Sequence, residues 1–207
     1  MTKTEPRKPR ILFLFSDTGG GHRSAAEAII EAINHNYGDR VLVEMVDFFK
    51  EHAPPPLDRV PEFYPQMVRV PQAWGWGYRI SNGHRRSRLI TGTLWPYVQF
   101  SARELVRKHP SDLIVSVHPL VTAPILKALG KNHPPFITVV TDLVTTHALW
   151  YHRRVSLCLV PTEAAEIRAL QFGLRPEQVK VVGLPVAERF CRPPGDREIL
   201  REKLGWP

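Results

Sequence analysis

Short apolar runs alternate with helical patterns along most of this chain of 207 residues. The first run, 10–15, is apolar after its leading arginine, and over 21–36 alanines and isoleucines recur every three or four positions. Continuous apolar runs are typical of strands buried on both faces of a parallel sheet, whereas the recurrent spacing is typical of a helix packed on such a sheet. The same reasoning predicts five further strands. They are 41–46, 112–117, 136–140, 156–160 and 178–182.

Helical patterns over 118–129 and 162–173 separate the later strands, with Pro119 suited to a first helical position and Thr162 to an N-cap. Six strands that alternate with helices predict an α/β protein with a Rossmann-like, doubly wound parallel sheet. In such sheets ligands bind outside the carboxyl ends of the strands, so the residues that follow the strands are expected to converge on one crevice. They are 17–22, Asp47, His118, 142–152 and 183–185.

The stretch 54–108 interrupts this alternation. Three consecutive prolines, 54–56, favour a stiff, extended loop because proline fixes its own backbone angle and cannot extend a helix. The rest of the stretch has weak periodicity and predicts two short helices and a longer one, which has Pro96 near its start or at a kink. They span 61–69, 72–80 and 89–108.

The positive charge of the chain is concentrated in the same stretch. The formal net charge is +8, and between residues 63 and 108 eight arginines and lysines are opposed by Glu104 alone, which leaves +7 there. A solvated helical face is one interpretation, but the asymmetry favours a surface for an anionic partner. A membrane is preferred over nucleic acid, because aromatic residues beside arginine suit the headgroup layer and no nucleic-acid-binding signature is present. The residues expected at the membrane are Trp74, Trp76, Arg85, Arg86, Arg88 and Trp95.

Candidate chemistry begins where the first strand ends. Residues 16–24 read Ser-Asp-Thr-Gly-Gly-Gly-His-Arg-Ser, a glycine-rich turn between strand and helix of the kind that holds phosphates or positions catalytic side chains. Gly19, Gly20 and Gly21 let the backbone approach a ligand closely, and the helix dipole is expected to lower the pKa of His22, as suits a general base. Because the sequence matches neither Gly-x-Gly-x-x-Gly nor a Walker A loop, a tight structural turn is the alternative.

Three residues farther along the chain each have a functional and a structural interpretation. His118 either faces the crevice or bonds a neighbouring loop, and Asp142 either takes part in the chemistry or caps a loop. Trp150 is expected to be a lid or packing residue unless it is exposed.

Cysteine use and the amino terminus indicate the compartment. Cys158 and Cys191 have no metal-ligand spacing, which favours a reduced, cytoplasmic protein without a metal site. No apolar signal segment follows the basic start, and no stretch approaches the roughly 20 apolar residues of a membrane span.

Five blocks of the chain resemble monogalactosyldiacylglycerol synthases and the related bacterial diacylglycerol glucosyltransferases. The first is Ser-Asp-Thr-Gly-Gly-Gly-His-Arg at 16–23 with Ala-Glu-Ala-Ile at 26–29, and the second is Ser-Val-His-Pro-Leu at 116–120. The others are 141–152, 161–165 and 181–186. The resemblance implies the N-terminal half of a GT-B fold and an inverting, metal-independent reaction. A base removes the proton of a diacylglycerol hydroxyl while that oxygen attacks a UDP-hexose.

The resemblance also implies roles for individual residues. His22 matches the histidine usually implicated in catalysis, and Asp142 or Asp17 is the next candidate for the base. The loop that faces substrate and diphosphate would consist of Gly19, Gly20, Gly21, His118 and His147. Pro56 matches a proline linked to anionic-lipid activation in the plant enzymes, and Trp150 matches a tryptophan given a similar part, which adds both to the membrane residues.

The expected organisation is a basic tail at 1–10, an acceptor and membrane-binding domain at 11–186 with an insertion at 54–108, and a segment at 187–207 that links to a UDP-sugar-binding domain or begins it. This chain alone is expected to be inactive, whether as a fragment, a half that needs a separate donor-domain chain, or a relic. Its lipid acceptor would be diacylglycerol or a similar lipid, such as a polyprenyl-linked intermediate, and this half would bind no cofactor. The expected location is cytoplasmic and peripheral on the membrane. The alternative is a non-enzymatic, Rossmann-like module that binds an anion and a membrane.

Overall fold

The computed structural model describes residues 7–18, 20–67, 69–192 and 195–206, without the side chains of Met67, Pro71, Ala73 and Trp74. Two of the expected site residues are affected. Gly19 lies outside the described residues, and so does the side chain of Trp74.

Within these residues six strands pair in parallel into one sheet. They are β1 Arg10–Phe15, β2 Leu42–Asp47, β3 Leu113–Ser116, β4 Phe136–Val139, β5 Leu157–Val160 and β6 Val179–Val181. Their order across the sheet is β2-β1-β3-β4-β5-β6, so the winding direction reverses between β2 and β3. The predicted strands all form within one residue of the expected bounds, and the predicted doubly wound parallel sheet is confirmed.

Eight α-helices occur among the described residues. They are α1 Gly21–Tyr37, α2 Phe48–His52, α3 Val60–Met67, α4 Pro71–Ser81, α5 His84–Lys108, α6 Pro119–Leu129, α7 Glu163–Gln171 and α8 Arg197–Lys203. Short 3₁₀ turns lie between them. They are Gly38–Arg40, Leu57–Arg59, Ala148–Trp150, Pro176–Gln178 and Glu188–Phe190.

The alternating side chains of β1 divide between the two faces of the sheet, as the period of a strand requires. Leu12 and Leu14 join a large buried cluster with residues of α2, α5, α6 and α7. Phe13 and Phe15 pack on the opposite face, against α1. All four are at most 3% exposed, so β1 is the buried centre from which the first functional loop leaves the sheet.

The chain directly after β2 is helical, which the sequence did not predict. The Asp47 carboxylate caps α2 by accepting hydrogen bonds from the backbone N–H groups of Phe49 (3.0 Å) and Lys50 (3.2 Å). The prolines that follow do not form the expected extended loop. Pro55 and Pro56 form a turn with a cis peptide bond between them, and a 3₁₀ turn follows at once.

Helix α5 is longer than predicted. It begins at His84 rather than at residue 89, because its polar and basic first turn carries no apolar period from which a helix could be read. Ser87 donates its hydroxyl hydrogen bond back to the Gly83 carbonyl within that turn. Pro96 therefore lies near the middle of the helix and not near its start.

Candidate active site

Two cavities open at the carboxyl ends of the strands and meet at four shared residues: Thr18, His22, Tyr64 and Asp142. The first cavity, about 760 Å³, lies between α1 and the segment 184–190. The second, about 570 Å³, is enclosed by α3, α4 and the loop before Trp150, with apolar lining from Val60, Val70, Leu120 and Leu149. The expected convergence occurs for His22, His118 and the residues after β4, but Asp47 lines neither cavity. His22 and Asp142 lie at the junction of a cavity with mixed lining and a mostly apolar one.

The glycine loop leaves the start of α1 open toward the first cavity. Gly20 has a φ of 76°, a left-handed conformation that side chains rarely adopt, and no side chain among the described residues caps the helix there. Gly21 lines the first cavity, and a Cβ built on it would meet no atom within 4 Å. A helix amino terminus with free N–H groups beside open space is suited to an anion.

His22 is half-buried at this junction. Burial is the main cause that lowers its pKa, and the Asp142 carboxylate and a backbone hydrogen bond with Val117 oppose that shift. The direction agrees with the expectation from sequence, but the cause differs, since that expectation rested on the helix dipole. A neutral imidazole that faces both cavities can accept a proton.

Thr141 is the partner of His22 that the sequence analysis did not nominate. Its Oγ1 atom lies 3.1 Å from Nδ1 of His22. The His22 ring also forms an edge contact with His118, with centroids 4.7 Å apart, and a tilted contact with Trp150 at 5.7 Å. The signal that could have found Thr141 is its place at the carboxyl end of β4, two residues after the strand and beside Asp142.

Asp142 and Trp150 form a hydrogen-bonded pair. The indole N–H of Trp150 donates to Oδ2 of Asp142 at 2.7 Å. Trp150 is 0% exposed and packs in the larger core, so it cannot contact a membrane surface, and its expected place among the membrane residues is wrong for this structure. Its indole N–H instead fixes the Asp142 carboxylate close to His22, where the carboxylate partly offsets the lowering of the His22 pKa by burial.

His118 and His147 support the loops around the junction. Nδ1 of His118 accepts the backbone N–H of Leu120 (3.3 Å), and its Nε2 lies 3.0 Å from the Thr18 hydroxyl, so the ring joins the glycine loop to the start of α6. His147 repeats the scheme with the N–H of Leu149 (3.1 Å) and the Ser81 hydroxyl (3.0 Å). Burial lowers the pKa of both rings. Both line the second cavity, but the contacts of their ring nitrogens are structural.

Asp17 is not placed for base catalysis. Its carboxylate accepts two hydrogen bonds from the Arg23 guanidinium (3.0 and 3.1 Å) and one from the Lys50 ammonium (2.8 Å), and these cations hold its pKa well below the usual value. Among the described residues it lines neither of the two cavities that meet at His22. The candidacy of Asp17 as a base is therefore corrected to that of an ion-pair partner that fixes the start of α1.

The basic insert, residues 54–108, presents an outer face along α5. Leu89 (68% exposed) and Phe100 (74%) lie close to three helical turns apart, so they share one side of the helix. Arg85 and Arg103, four residues before Leu89 and three after Phe100, lie on that side, and Arg86 and Arg88 are exposed nearby. One exposed helix face thus carries both apolar and basic side chains.

Other expected membrane residues of the insert divide by burial. Trp76 is 67% exposed, and Pro56 is exposed at the start of its 3₁₀ turn. Trp95 is half-buried and packs against the core, with the Lys127 ammonium 4.6 Å and the Arg103 guanidinium 5.7 Å from its ring. Trp95 therefore belongs to the inner side of α5 and not to the exposed face, which corrects its assignment.

The described residues contain neither a metal-binding cluster nor a membrane-spanning helix. No group of three or more histidines, cysteines or acidic residues is placed to hold a metal ion in that part of the chain. Likewise, none of the helices in those residues combines the length and apolarity needed to cross a bilayer.

A sequence model described as monogalactosyldiacylglycerol (MGDG) synthase matches residues 22–186. This range is more than half of the chain and contains His22, His118, Asp142 and Trp150. The chain belongs to the monogalactosyldiacylglycerol synthase family. This family belongs to the glycosyltransferases of glycolipid biosynthesis.

Curated relatives of the family align along nearly all of the chain. It is 39% identical to the probable chloroplastic MGDG synthase of Nicotiana tabacum, over 98% of this chain and 38% of the relative. It is 40% identical to the chloroplastic MGDG synthase of Spinacia oleracea, over 97% of this chain and 40% of the relative. The chain therefore spans about two fifths of the length of these MGDG synthases.

Solved structures agree with the fold. Anabaena HepE in complex with UDP-glucose matches with a TM-score of 0.51 and 19% identity, over 95% of this chain and 50% of that one. The same protein with UDP matches with a TM-score of 0.52. This likeness and the six-stranded parallel sheet confirm the predicted fold class. It is a Rossmann-like α/β fold, the kind found in the N-terminal half of a GT-B fold.

Proposed function

We propose that residues 11–186 form the acceptor half of an inverting glycosyltransferase that moves a hexose from a UDP-sugar to diacylglycerol. The observation that carries the proposal is the position of His22 and Asp142, at the junction of a mostly apolar cavity and a more polar one. A diacylglycerol has the same division, with acyl chains attached to a glycerol that bears one hydroxyl. The names of the family and of its relatives favour galactose as the hexose.

In the proposed reaction His22 is the general base. Its neutral imidazole takes the proton from the acceptor hydroxyl as that oxygen bonds to the anomeric carbon. The bond from that carbon to the UDP oxygen breaks on the opposite side, the electron pair leaves with UDP, and the sugar is inverted. Asp142 stabilises the imidazolium that forms, because its carboxylate acts on the His22 ring and is held in place by Trp150.

The donor is assigned to the first cavity. The open amino terminus of α1 suits the diphosphate of a UDP-sugar, and the rest of the nucleotide site would come from a second domain. Support comes from HepE, which is described with UDP-glucose and of which this chain covers half. We expect the 207 residues to be inactive until a donor domain is joined to them or added as a separate chain.

The lipid would arrive from an anionic membrane to which the protein binds peripherally, on the cytoplasmic side. The exposed face of α5 supports this, since it combines apolar side chains with arginines. A basic residue near an anionic bilayer contributes about 1 kcal/mol, and the apolar residues add burial in the headgroup layer.

The test is hexose transfer to diacylglycerol in anionic vesicles, with the chain alone and with a donor domain of an MGDG synthase supplied. We expect turnover only with the donor domain, and a loss on the order of 10²- to 10⁴-fold in kcat for His22→Ala. His35→Ala, at the exposed end of the same helix, is the matched control and should keep full activity. Vesicle binding without transfer, whichever donor is supplied, would favour the alternative of a non-enzymatic anion- and membrane-binding module.

A further inference from the structure

Three histidines of this domain share one pattern of hydrogen bonds. In His118, His147 and His152 the Nδ1 atom accepts the backbone N–H of the residue two positions later, at 3.3, 3.1 and 3.3 Å. A nitrogen that accepts carries no proton, so each neutral ring must be protonated at Nε2. In His118 and His147 that Nε2–H faces a hydroxyl oxygen at 3.0 Å, so both nitrogens are already engaged.

His22 departs from that pattern. Among the described residues no backbone N–H is directed at its Nδ1, which faces the hydroxyl of Thr141 at 3.1 Å instead. A hydroxyl can accept as well as donate, so the contact with Thr141 is compatible with a proton on Nδ1. In the part of the chain that the structure describes, the contact of Nδ1 therefore does not require this nitrogen to be unprotonated, in contrast to the other three rings.

Thr141 is held firmly enough to control this ring. It follows β4, and the N–H of the preceding residue, Val140, still donates to the Leu159 carbonyl at 2.9 Å, so strand pairing continues up to Thr141. The next residue is Asp142, which Trp150 fixes from the other side. The hydroxyl thus projects from a rigid strand end and not from a free loop.

We propose that Thr141 is a positioning residue: its hydroxyl accepts a hydrogen bond from Nδ1–H of His22, which leaves the Nε2 lone pair as the proton acceptor of the site. The catalytic meaning of this assignment rests on the proposed function. The acceptor hydroxyl then loses its proton to Nε2, and the Nδ1–H bond to Thr141 persists and strengthens as the ring becomes a cation. The base needs no change of tautomer before it acts.

The decisive measurement is the protonated nitrogen of each histidine in the ¹⁵N-labelled full chain, read from couplings between ring protons and ring nitrogens at mildly alkaline pH. His22→Gln assigns the His22 signals. We expect His22 to be protonated at Nδ1, whereas His118, His147 and His152 are protonated at Nε2. His22 protonated at Nε2 in the wild-type chain would overturn the proposal.

Two variants separate control of the tautomer from general damage. Thr141→Val removes the hydroxyl and should shift the His22 signals away from the Nδ1–H form, whereas Thr141→Ser should restore them. Thr18→Val is the matched control, because it removes the hydroxyl partner of His118 and should leave the His22 signals unchanged. An unchanged His22 tautomer in Thr141→Val contradicts the proposal. If that variant does not fold, the protonated nitrogen of His22 measured in the wild type and in Thr141→Ser decides the proposal.

Kinetics then connect the tautomer with catalysis. With a donor domain supplied, Thr141→Val should lower kcat with little change in the acceptor KM, and Thr141→Ser should recover most of the loss. If the wild-type chain and the donor domain together show no transfer, the proposed function is contradicted but the tautomer is not, since it is measured without turnover. If they transfer hexose and Thr141→Val does not change the rate, the role of Thr141 is contradicted.

Discussion

Trp150 and Trp76 represent two regions of this molecule that are built for different tasks. Trp150 is 0% exposed and donates its N–H to Asp142 at the ends of the strands, whereas Trp76, in the basic insert, is 67% exposed. At the strand ends the polar groups near His22 are mutually hydrogen-bonded, so a reacting group would meet dipoles that are already oriented. In the insert, charges and apolar rings point outward along α5. The comparison suggests that chemistry and membrane contact can be disrupted independently.

The largest expected effect is on the free energy of unfolding. The two tryptophans test whether the strand-end site and the insert can be disrupted independently. Trp150→Ala should lower the free energy of unfolding by about 3–5 kcal/mol, because it opens a cavity in the core and leaves Asp142 without its donor. Trp76→Ala should change it by no more than about 0.5 kcal/mol, as surface substitutions usually do. Urea unfolding followed by circular dichroism measures both. Equal losses would mean that Trp76 is part of the core and that the comparison is wrong.

The second largest effect should be on membrane binding, and it should follow changes in the insert without a change in stability. Replacement of Arg85, Arg86 and Arg88 by alanine should weaken binding to vesicles that contain anionic lipid by about 3 kcal/mol, or on the order of 10²-fold, and should leave unfolding nearly unchanged. Co-sedimentation at low and high salt measures it, and added salt should reduce the difference.

The matched control for that charge change is Arg197, Arg201 and Lys203 of α8, replaced together by alanine. This triple variant has the same net charge but an intact insert. If both triple variants lose binding equally, the net charge of the chain attracts the vesicle, and the exposed face of α5 has no special part in binding.

The sequence was sufficient for the sheet and for the region where the site forms. Buried parallel strands have a local signature, which is why β1 and the other strands appear within a residue of their predicted bounds. Helix α5 was predicted five residues short, because its first turn is polar and basic, and α2 was missed because its five residues are too few to show a period.

Pairwise contacts at the site could not be read from the sequence. That Thr141 bonds His22, 119 positions away in the chain, depends on the neighbouring ends of β1 and β4 and on a side-chain geometry that no local pattern encodes. Packing was one interpretation of Trp150 from the sequence, but its hydrogen bond to Asp142 could not be read from the local pattern.

Acid should lower the stability of the folded chain through a half-buried histidine in the loop after Trp150. Burial lowers the pKa of His152 to about 4, whereas the unfolded chain has the ordinary value near 6.5. As pH falls from about 6.5 to 4 the unfolded state takes up the proton first, so stability is lost over that window, on the order of 2 kcal/mol. His152→Asn keeps an acceptor for the Arg154 N–H but cannot titrate, and urea unfolding at several pH values should show a shallower slope.

His35→Asn, at the exposed end of α1, is the control for that experiment and should follow the wild-type pH dependence. If His152→Asn follows it too, another buried histidine causes the acid sensitivity. The first to examine is His118, whose pKa burial lowers well below the usual value.

The smallest effect concerns the ion pairs of Asp17, at the edge of the strand-end site. Arg23 and Lys50 hold the pKa of this carboxyl below that of the unfolded chain, near 3.9, so its stabilisation is present above that value and is lost as pH falls below it. Asp17→Asn should cost about 1 kcal/mol at neutral pH, and the difference from wild type should shrink as the pH falls below about 4. Asp39→Asn, an exposed carboxylate in the 3₁₀ turn after α1, is the stability control.

With a donor domain supplied, Asp17→Asn should retain most of the transfer activity that His22→Ala abolishes. A comparable loss of kcat in both variants would return Asp17 to the list of bases, because an ion-pair partner outside the cavities has no proton to exchange with the acceptor.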